Sequence, residues 1–401
     1  MSRDAAERFP RAVLIVGASV RAAATAAYRA GLVVDAIDLF ADADLREVCR
    51  QVVLVERLDP VSVAAAVARL DPATRPTCWQ GTGGIERYPD TAALLDRLIG
   101  RPAAAVSGDA ARAIRLLRDP WRLSRCGTEP TVRVPPLRSL AHPPNDPPSN
   151  WLIKSTDSAG GEGIREGAAA EELPAECRGT SYLQRRVGGR DASIVLLADS
   201  GRIRWIGATY QWVGAAALGA GPFRYSASYG PILFERWRQA ALLRFARRAV
   251  RDSGFDGILG IDLRLERRRT WVLEINPRYP AGAEVLERSA GRSLVAERMS
   301  VAAGGRFDWP EPTAESVRWA KGIRYLPSGV ERQASGRGIA AALSSGPPGE
   351  RPIADLPIAE SRLIGPTPAF SIFACNPFLP RTVATLEGVA IVWETLIFET
   401  I

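Results

Sequence analysis

The sequence predicts an α/β protein that passes into a more antiparallel α+β part, and three observations carry this. Short apolar runs alternate with helical segments over the first hundred residues, as in a parallel sheet with crossover helices. From Trp151 onward, strand-like runs follow one another with polar turns between them. At 401 residues and roughly 150 residues per domain, the chain has room for two or three such units.

In order, RAVLIVG (11–17) reads as a strand, and the Ala-rich stretch after it as a helix closed by Gly31. LVVDAIDLF and QVVLVERL read as further strands. The turn after the first strand, G-A-S-V-R-A, lacks the later glycines of a dinucleotide fingerprint, so no such site is assigned. TAALLDRLI (91–99) and DAARAIRLLR (109–118) are helical, and the Pro-crowded stretch 129–150 reads as a surface loop. Then come a strand WLIK, a polar Gly-rich loop STDSAGGEG, and strands YLQRRV, ASIVLLAD and IRWIGATYQW. Residues 235–253 carry helical amphipathic spacing, and ILGIDLRLE with TWVLEIN forms a hairpin pair. Beyond about 315, Gly, Pro and short apolar runs (GIRYLP, FSIFA) predict a small β-rich appendage.

Composition narrows the function classes. The chain carries 52 Lys and Arg against 44 Asp and Glu, for a net charge of +8. Only Lys154 and Lys321 are lysine. The basic residues are scattered among acidic ones rather than gathered in a patch, so nucleic acid is not an expected partner. No apolar run approaches the roughly 20 residues needed to span a bilayer, and the N-terminus has no signal-peptide core; a cytoplasmic protein is expected. Cys49, Cys78, Cys126, Cys177 and Cys375 form no CxxC pair, against a disulfide framework or zinc knuckle. The one histidine, His142, lies in the Pro-rich loop, which disfavours a His-based relay or a two-His metal site.

Two constellations carry chemistry. Lys154 ends a strand that runs into a Gly-rich loop, where backbone amides and a point charge can meet phosphate oxygens. An ordinary flexible hairpin loop with a lysine beside it has the same appearance. The second is Asp262 with Glu274 and Asn276, in I-D-L-R-L and V-L-E-I-N-P-R. Side chains alternate along a strand, so Glu274 and Asn276 share a face that Asp262 can join from the neighbouring strand. Three hard oxygen donors suit Mg²⁺, and Arg278 is placed to contact a phosphoryl oxygen.

Taken together, these residues resemble the ATP-grasp superfamily over about residues 10–310. The resemblance implies an ATP-grasp fold: a pre-grasp α/β domain (1–105), an ATP-grasp domain of two clamping subdomains (106–314) and the β-rich appendage (315–401). It implies ATP as cofactor with Mg²⁺, Mn²⁺ being an alternative, held by Asp262, Glu274 and Asn276. The phosphate lysine falls on Lys154, and the mobile loop on Asp157 to Gly163, with Ser158, Gly160, Gly161 and Gly163 binding nucleotide. The adenine hinge falls on Gln184, Arg185, Arg186 and Val187, and the ribose acid on Asp191. Lys154 and Arg278 are the implied catalytic residues, Arg278 stabilising the acyl phosphate. The activity implied is an ATP-dependent carboxylate–amine ligase releasing ADP and phosphate. A biotin-type or purine-type carboxylating enzyme and a non-catalytic nucleotide-binding regulator are the alternatives.

The sequence departs from the family pattern in three places. The second, early lysine is missing, with Arg115, Arg118 and Arg122 as substitutes. Gln184 stands where the hinge acid is usual. Gly260 stands where some amino-acid ligases place an arginine. The segment 209–231 offers Tyr210, Gln211, Arg224 and Tyr225 to a substrate, or else is a packed connection; Arg288 and Arg292 read as an anionic-substrate contact or a solvated helix face. The overall pattern, including the tail with K-G-I-R-Y-L-P and I-A-D-L-P, also resembles a group of ATP-grasp ligases that includes proteins linked to methanopterin- or methanofuran-type one-carbon carriers. Glutamate or another amino acid would then join a cofactor precursor. Small-molecule carboxylate and amine partners, no membrane partner, and a homodimer complete the expectation.

Overall fold

A computed structural model describes residues 11–100, 109–127, 129–158, 160–167 and 179–399. Its first sheet runs Gln51–Leu54, Val33–Asp38, Ala12–Val16, Trp79–Gly81, with every pairing parallel. Parallel strands require crossovers, which helices such as Arg21–Arg29 and Pro60–Ala68 supply. The first strand is buried throughout its apolar stretch from Val13 to Val16, as a strand covered on both faces must be.

The second layer is a nine-stranded sheet. At its centre Arg190–Asp199 pairs antiparallel with both Arg202–Val213 and Gly257–Leu265, and Gly257–Leu265 pairs with Thr270–Asn276. The helix Arg236–Arg251 covers one face, burying Ala241, Leu242, Phe245, Ala246, Ala249 and Val250 at helical spacing. Its buried Arg238 reaches the hairpin turn between the last two strands. There it donates to Thr270 Oγ1 at 2.7 Å and to the Glu266 and Arg267 carbonyls at 3.1 and 3.2 Å. A forked guanidinium can satisfy several fixed carbonyls at once, so this turn, and the two strands leaving it, are held in register.

A smaller antiparallel sheet, Leu137–Ser139, Ser181–Arg185, Trp151–Ser155, Arg165–Glu166, forms the opposing jaw. The Pro-rich stretch expected as a loop thus contains two short strands, Val132–Arg133 and Leu137–Ser139. Both lie at sheet edges, where proline is tolerated.

The segment beyond residue 315 continues the nine-stranded sheet: Trp319–Leu326 pairs with Tyr225–Gly230, and Thr367–Cys375 with Trp319–Leu326. It also contains a 16-residue helix, Thr382–Ile397, which the β-branched sequence did not announce. Burial of Leu386, Ala390 and Ile397 overrides that local preference. No described helix is long and apolar enough to cross a membrane.

One buried ion network ties the three segments. Arg21, at the start of the first helix, grips Glu284 through both terminal nitrogens and donates to Asp355 at 3.0 Å. Lys321 donates to the same Glu284 at 2.7 Å. Asp44 accepts from the amides of Asp355 and Leu356 at 3.0 and 2.8 Å. Burial alone would raise the Glu284 pKa, but Arg21 and Lys321 overcome it and hold the carboxyl at about 2.

The sign follows from linkage. The unfolded chain takes up this proton near the ordinary glutamate value and the folded chain only near 2, so the stabilisation is complete above the ordinary value and lost as pH falls toward 2. Its size is on the order of 3 kcal/mol. Glu284→Gln should lower the urea midpoint at pH 7 and flatten its decline between about pH 5 and 3. An unchanged acid slope would show that this carboxylate does not bear the load.

Candidate active site

The centre of the site is set by strand register. Asp262 and Glu274 are direct cross-strand partners, and Asn276 lies opposite Gly260. All three side chains therefore share one face. Asn276 Nδ2 donates to Asp262 Oδ2 at 2.9 Å. Gly260 has a steric reason: a Cβ there would stand 2.9 Å from Pro280 Cβ, so the following turn occupies the space an arginine would need.

Cations crowd these acids. Lys154, 5% exposed, donates to Glu274 Oε2 at 3.1 Å. Arg118 Nη1 lies 3.9 Å from the same oxygen and 3.4 Å from Asn276 Oδ1. Arg278 donates to Asn276 Oδ1 at 3.4 Å and, through Nε, to Glu86 at 3.0 Å. Of the three arginines expected as substitutes for an early lysine, only Arg118 reaches the site. Arg115 pairs with Asp90, and Arg122 donates to the Ala249 carbonyl. Glu86, buried at 2% exposure, is a site neighbour that the sequence analysis missed. No local pattern marks it, because its arginine lies 192 residues away.

The two acids are driven apart in pKa. Burial would raise Glu274, but Lys154 and then Arg118 hold it at about 2. Asp262 is pushed up to about 6 by burial and then by the Glu274 charge. A half-buried pair of carboxylates beside an amide oxygen is a hard, electron-rich donor set, and it fits a divalent cation such as Mg²⁺ or Mn²⁺. Among the described residues, no group of three His, Cys, Asp or Glu side chains is arranged to hold a metal ion; here the third donor is an amide.

Above this centre lies the Gly-rich loop. Arg118 Nη2 donates to the carbonyls of Thr156 and Ser158, at 3.1 and 2.5 Å. Gly160, Gly161 and Gly163 all have positive φ. At Gly161 the requirement is strict, since a Cβ there would meet the Phe223 carbonyl oxygen at 1.8 Å. The loop thus touches segment 209–231 by its backbone, and Glu162 pairs with Arg87 of the first layer at 3.1 Å.

The proposed hinge lies at the end of strand Ser181–Arg185. The Gln184 side chain is buried and donates to the Leu273 carbonyl at 3.1 Å. The amides of Arg185 and Arg186 donate to the carbonyls of Pro136 and Asn150, so these two residues can offer a base edge only their carbonyl oxygens. Their side chains turn outward, to Asp146 and Glu166. Val187 follows, half-buried. Asp191 pairs with Arg264 at 2.7 Å, a contact that a ribose would have to share or displace.

Of the substrate candidates, Gln211 comes nearest the acids, its Nε2 standing 3.5 Å from Asp262 Oδ1. Tyr210 is covered by the Arg190 guanidinium, 3.7 Å from its ring centroid. Tyr225 is turned inward to donate to Ser228 Oγ at 2.8 Å. Arg224 remains half-buried in the connection, which is closed by the Gly214 amide donating to its carbonyl. Arg288 follows neither expectation: its guanidinium stacks on Phe373, 3.5 Å from the centroid. Arg292 pairs with Asp308 and Glu297.

Because Asp262 and Glu274 repel one another, Asp262→Asn should leave the thermal midpoint of the metal-free protein unchanged or raised. The same variant should weaken Mn²⁺ or Mg²⁺ binding by at least about tenfold. Thermal melts with and without the ion check both; a destabilised variant with full ion binding would contradict the assignment.

Residues 119–282 match the sequence profile of the ATP-grasp domain. In sequence, no functionally curated protein matches the chain. Among solved structures, biotin carboxylase from Campylobacter jejuni aligns with a TM-score of 0.66 at 15% identity, covering 98% of this chain and 93% of that one. L-amino acid ligase from Bacillus licheniformis aligns at 0.62 and 14%, covering 98% and 99%. N5-carboxyaminoimidazole ribonucleotide synthetase from Thermus thermophilus aligns at 0.61 and 16%, covering 97% and 99%. At such identities the likeness speaks for the fold. The chain carries an ATP-grasp domain, and its fold is that of the ATP-grasp superfamily.

Proposed function

We propose that this protein is an ATP-dependent carboxylate–amine ligase. The observation that carries the reading is the meeting of Lys154, from one jaw, with Glu274 of the Asp262–Glu274–Asn276 set on the other, beneath a Gly-rich loop. A site that sets two jaws around a buried lysine and half-buried carboxylates is built for a polyphosphate with its divalent ion. The ion, when bound, would neutralise phosphate charge.

The chain's own groups then divide the work. Lys154 supplies a positive charge to phosphate oxygens, and Ser158, Gly160, Gly161 and Gly163 supply the loop that covers them. The carbonyls of Gln184 to Arg186 and the backbone at Val187 read the adenine edge, and Asp191 holds the ribose. Arg278, already oriented by Glu86, faces the charge that develops on the transferred group. A substrate carboxylate oxygen bonds to the γ-phosphorus as the bond to ADP breaks. The amine nitrogen then bonds to the acyl carbon, phosphate leaves with the C–O electron pair, and the nitrogen gives up a proton. No histidine or thiolate is required. Catalysis rests on positioning and charge.

The finer reading is that the amine is glutamate or another amino acid and the acid a precursor of a one-carbon carrier cofactor. It rests on the resemblance of the overall pattern, the tail included. Tyr210, Gln211, Arg224 and Tyr225 are the segment we assign to substrate, with Gln211 nearest the reacting centre.

ADP release with Mg²⁺-ATP tests this, run across amino acids paired with candidate acids. Release that needs one particular acid–amine pair is the expected result, and Lys154→Ala should reduce it by two to three orders of magnitude. Release that depends on bicarbonate instead would move the assignment to a carboxylating enzyme. A wild-type rate in Lys154→Ala would remove the lysine from the site.

A further inference from the structure

We propose that Arg118 is a positioning residue that brackets the Gly-rich loop to the metal strand, and that the site uses the forked shape of its guanidinium rather than its charge alone. The side chain is only 7% exposed. One terminal nitrogen, Nη2, donates to two loop carbonyls, Thr156 at 3.1 Å and Ser158 at 2.5 Å. The other, Nη1, donates to Asn276 Oδ1 at 3.4 Å, on the far side of the site. A single guanidinium thus joins the base of the loop to a residue of the candidate ion site.

The anchor is rigid at its root. Arg118 is the last residue of helix Ala110–Arg118, and Asp119 behind it caps the next helix by accepting from the amides of Trp121 and Arg122. The Thr156 amide is held to the strand by the Thr180 carbonyl at 3.1 Å, but beyond it the loop's own bonds are few and local: the Asp157 amide donates to Ser155 Oγ at 3.2 Å, and the Ser158 amide to the Ser155 carbonyl at 3.4 Å. Fixing the Thr156 carbonyl fixes the peptide plane that also contains the Asp157 amide. Arg118 therefore sets the direction in which the loop leaves its strand.

Shape is needed here because the acceptors lie on two separate elements. A planar guanidinium presents donors at fixed, separated points, whereas an ammonium concentrates three on one nitrogen. A lysine at 118 would keep the charge and lose the span. If charge on phosphate were all that mattered, lysine would serve equally.

The relevance to catalysis rests on the ligase reading; the bracket itself does not, so it is tested without nucleotide. Amide hydrogen exchange is measured at Asp157 and Ser158 in the wild type, in Arg118→Lys and in Arg118→Gln. Amides in helix Arg236–Arg251 report whether each variant is folded. Loss of hydrogen bonds to a charged donor should speed exchange at these two loop amides about tenfold or more in both variants, with the helix unchanged. With ATP, the apparent KM should rise in Arg118→Lys as well as in Arg118→Gln. The proposal is overturned if Arg118→Lys protects the loop as the wild type does, or if ATP affinity changes while loop exchange does not. A complete lack of ATP turnover in the wild type would instead count against the ligase reading and leave the exchange result standing.

Discussion

Two half-buried carboxylates side by side on neighbouring strands are the constraint on which the rest of this structure depends. Asp262 and Glu274 stand opposite each other in register, and bringing like charges together with only partial access to water is costly unless cations compensate them. Lys154 comes from the small sheet, Arg118 from the helix before it, and Arg278 from the turn after the strand. Each belongs to a different element, so satisfying the acids draws both jaws and the loop base to one point. Even so, the compensation is uneven: the nearest cations, Lys154 and Arg118, lie against Glu274, while Asp262 is met by the neutral amides of Asn276 and Gln211.

The supporting shell repeats the same logic at a distance. Arg238 holds the turn that joins the two acid-bearing strands. Arg278 is aimed by Glu86, a residue of the first layer. Arg21, Glu284, Lys321 and Asp355 join the first layer, the helix after the Asn-Pro-Arg turn and the C-terminal strands. Both lysines of the chain are buried, and each is paired with a glutamate. Where the chain uses lysine, it uses a compact ammonium in a closed space.

Much of this was legible in the sequence because it depends on local periodicity. Period-two alternation put Glu274 and Asn276 on one face, and the hairpin between 258 and 276 brought Asp262 to the same row. The lysine–loop segment was readable from its glycines. Contacts between distant segments left no such trace. Glu86 meets Arg278 across 192 residues, and Arg118 meets Asn276 across 158. The C-terminal helix was hidden for a different reason: its β-branched residues favour strands locally, and only burial against the extended sheet selects the helix. The short strands in the Pro-rich stretch were hidden because proline at a sheet edge looks, in sequence, like a loop.

The claim at the centre of this account is that the Asp262–Glu274–Asn276 face and Lys154 together bind a nucleotide with its divalent ion. The most direct measurement is calorimetric titration of ATP into the protein with and without Mg²⁺. The account predicts one site per chain, with binding tightened at least about tenfold by the ion, because the ion neutralises both the phosphates and the acids they approach. Binding of equal strength with and without Mg²⁺, or no binding in either condition, would contradict it.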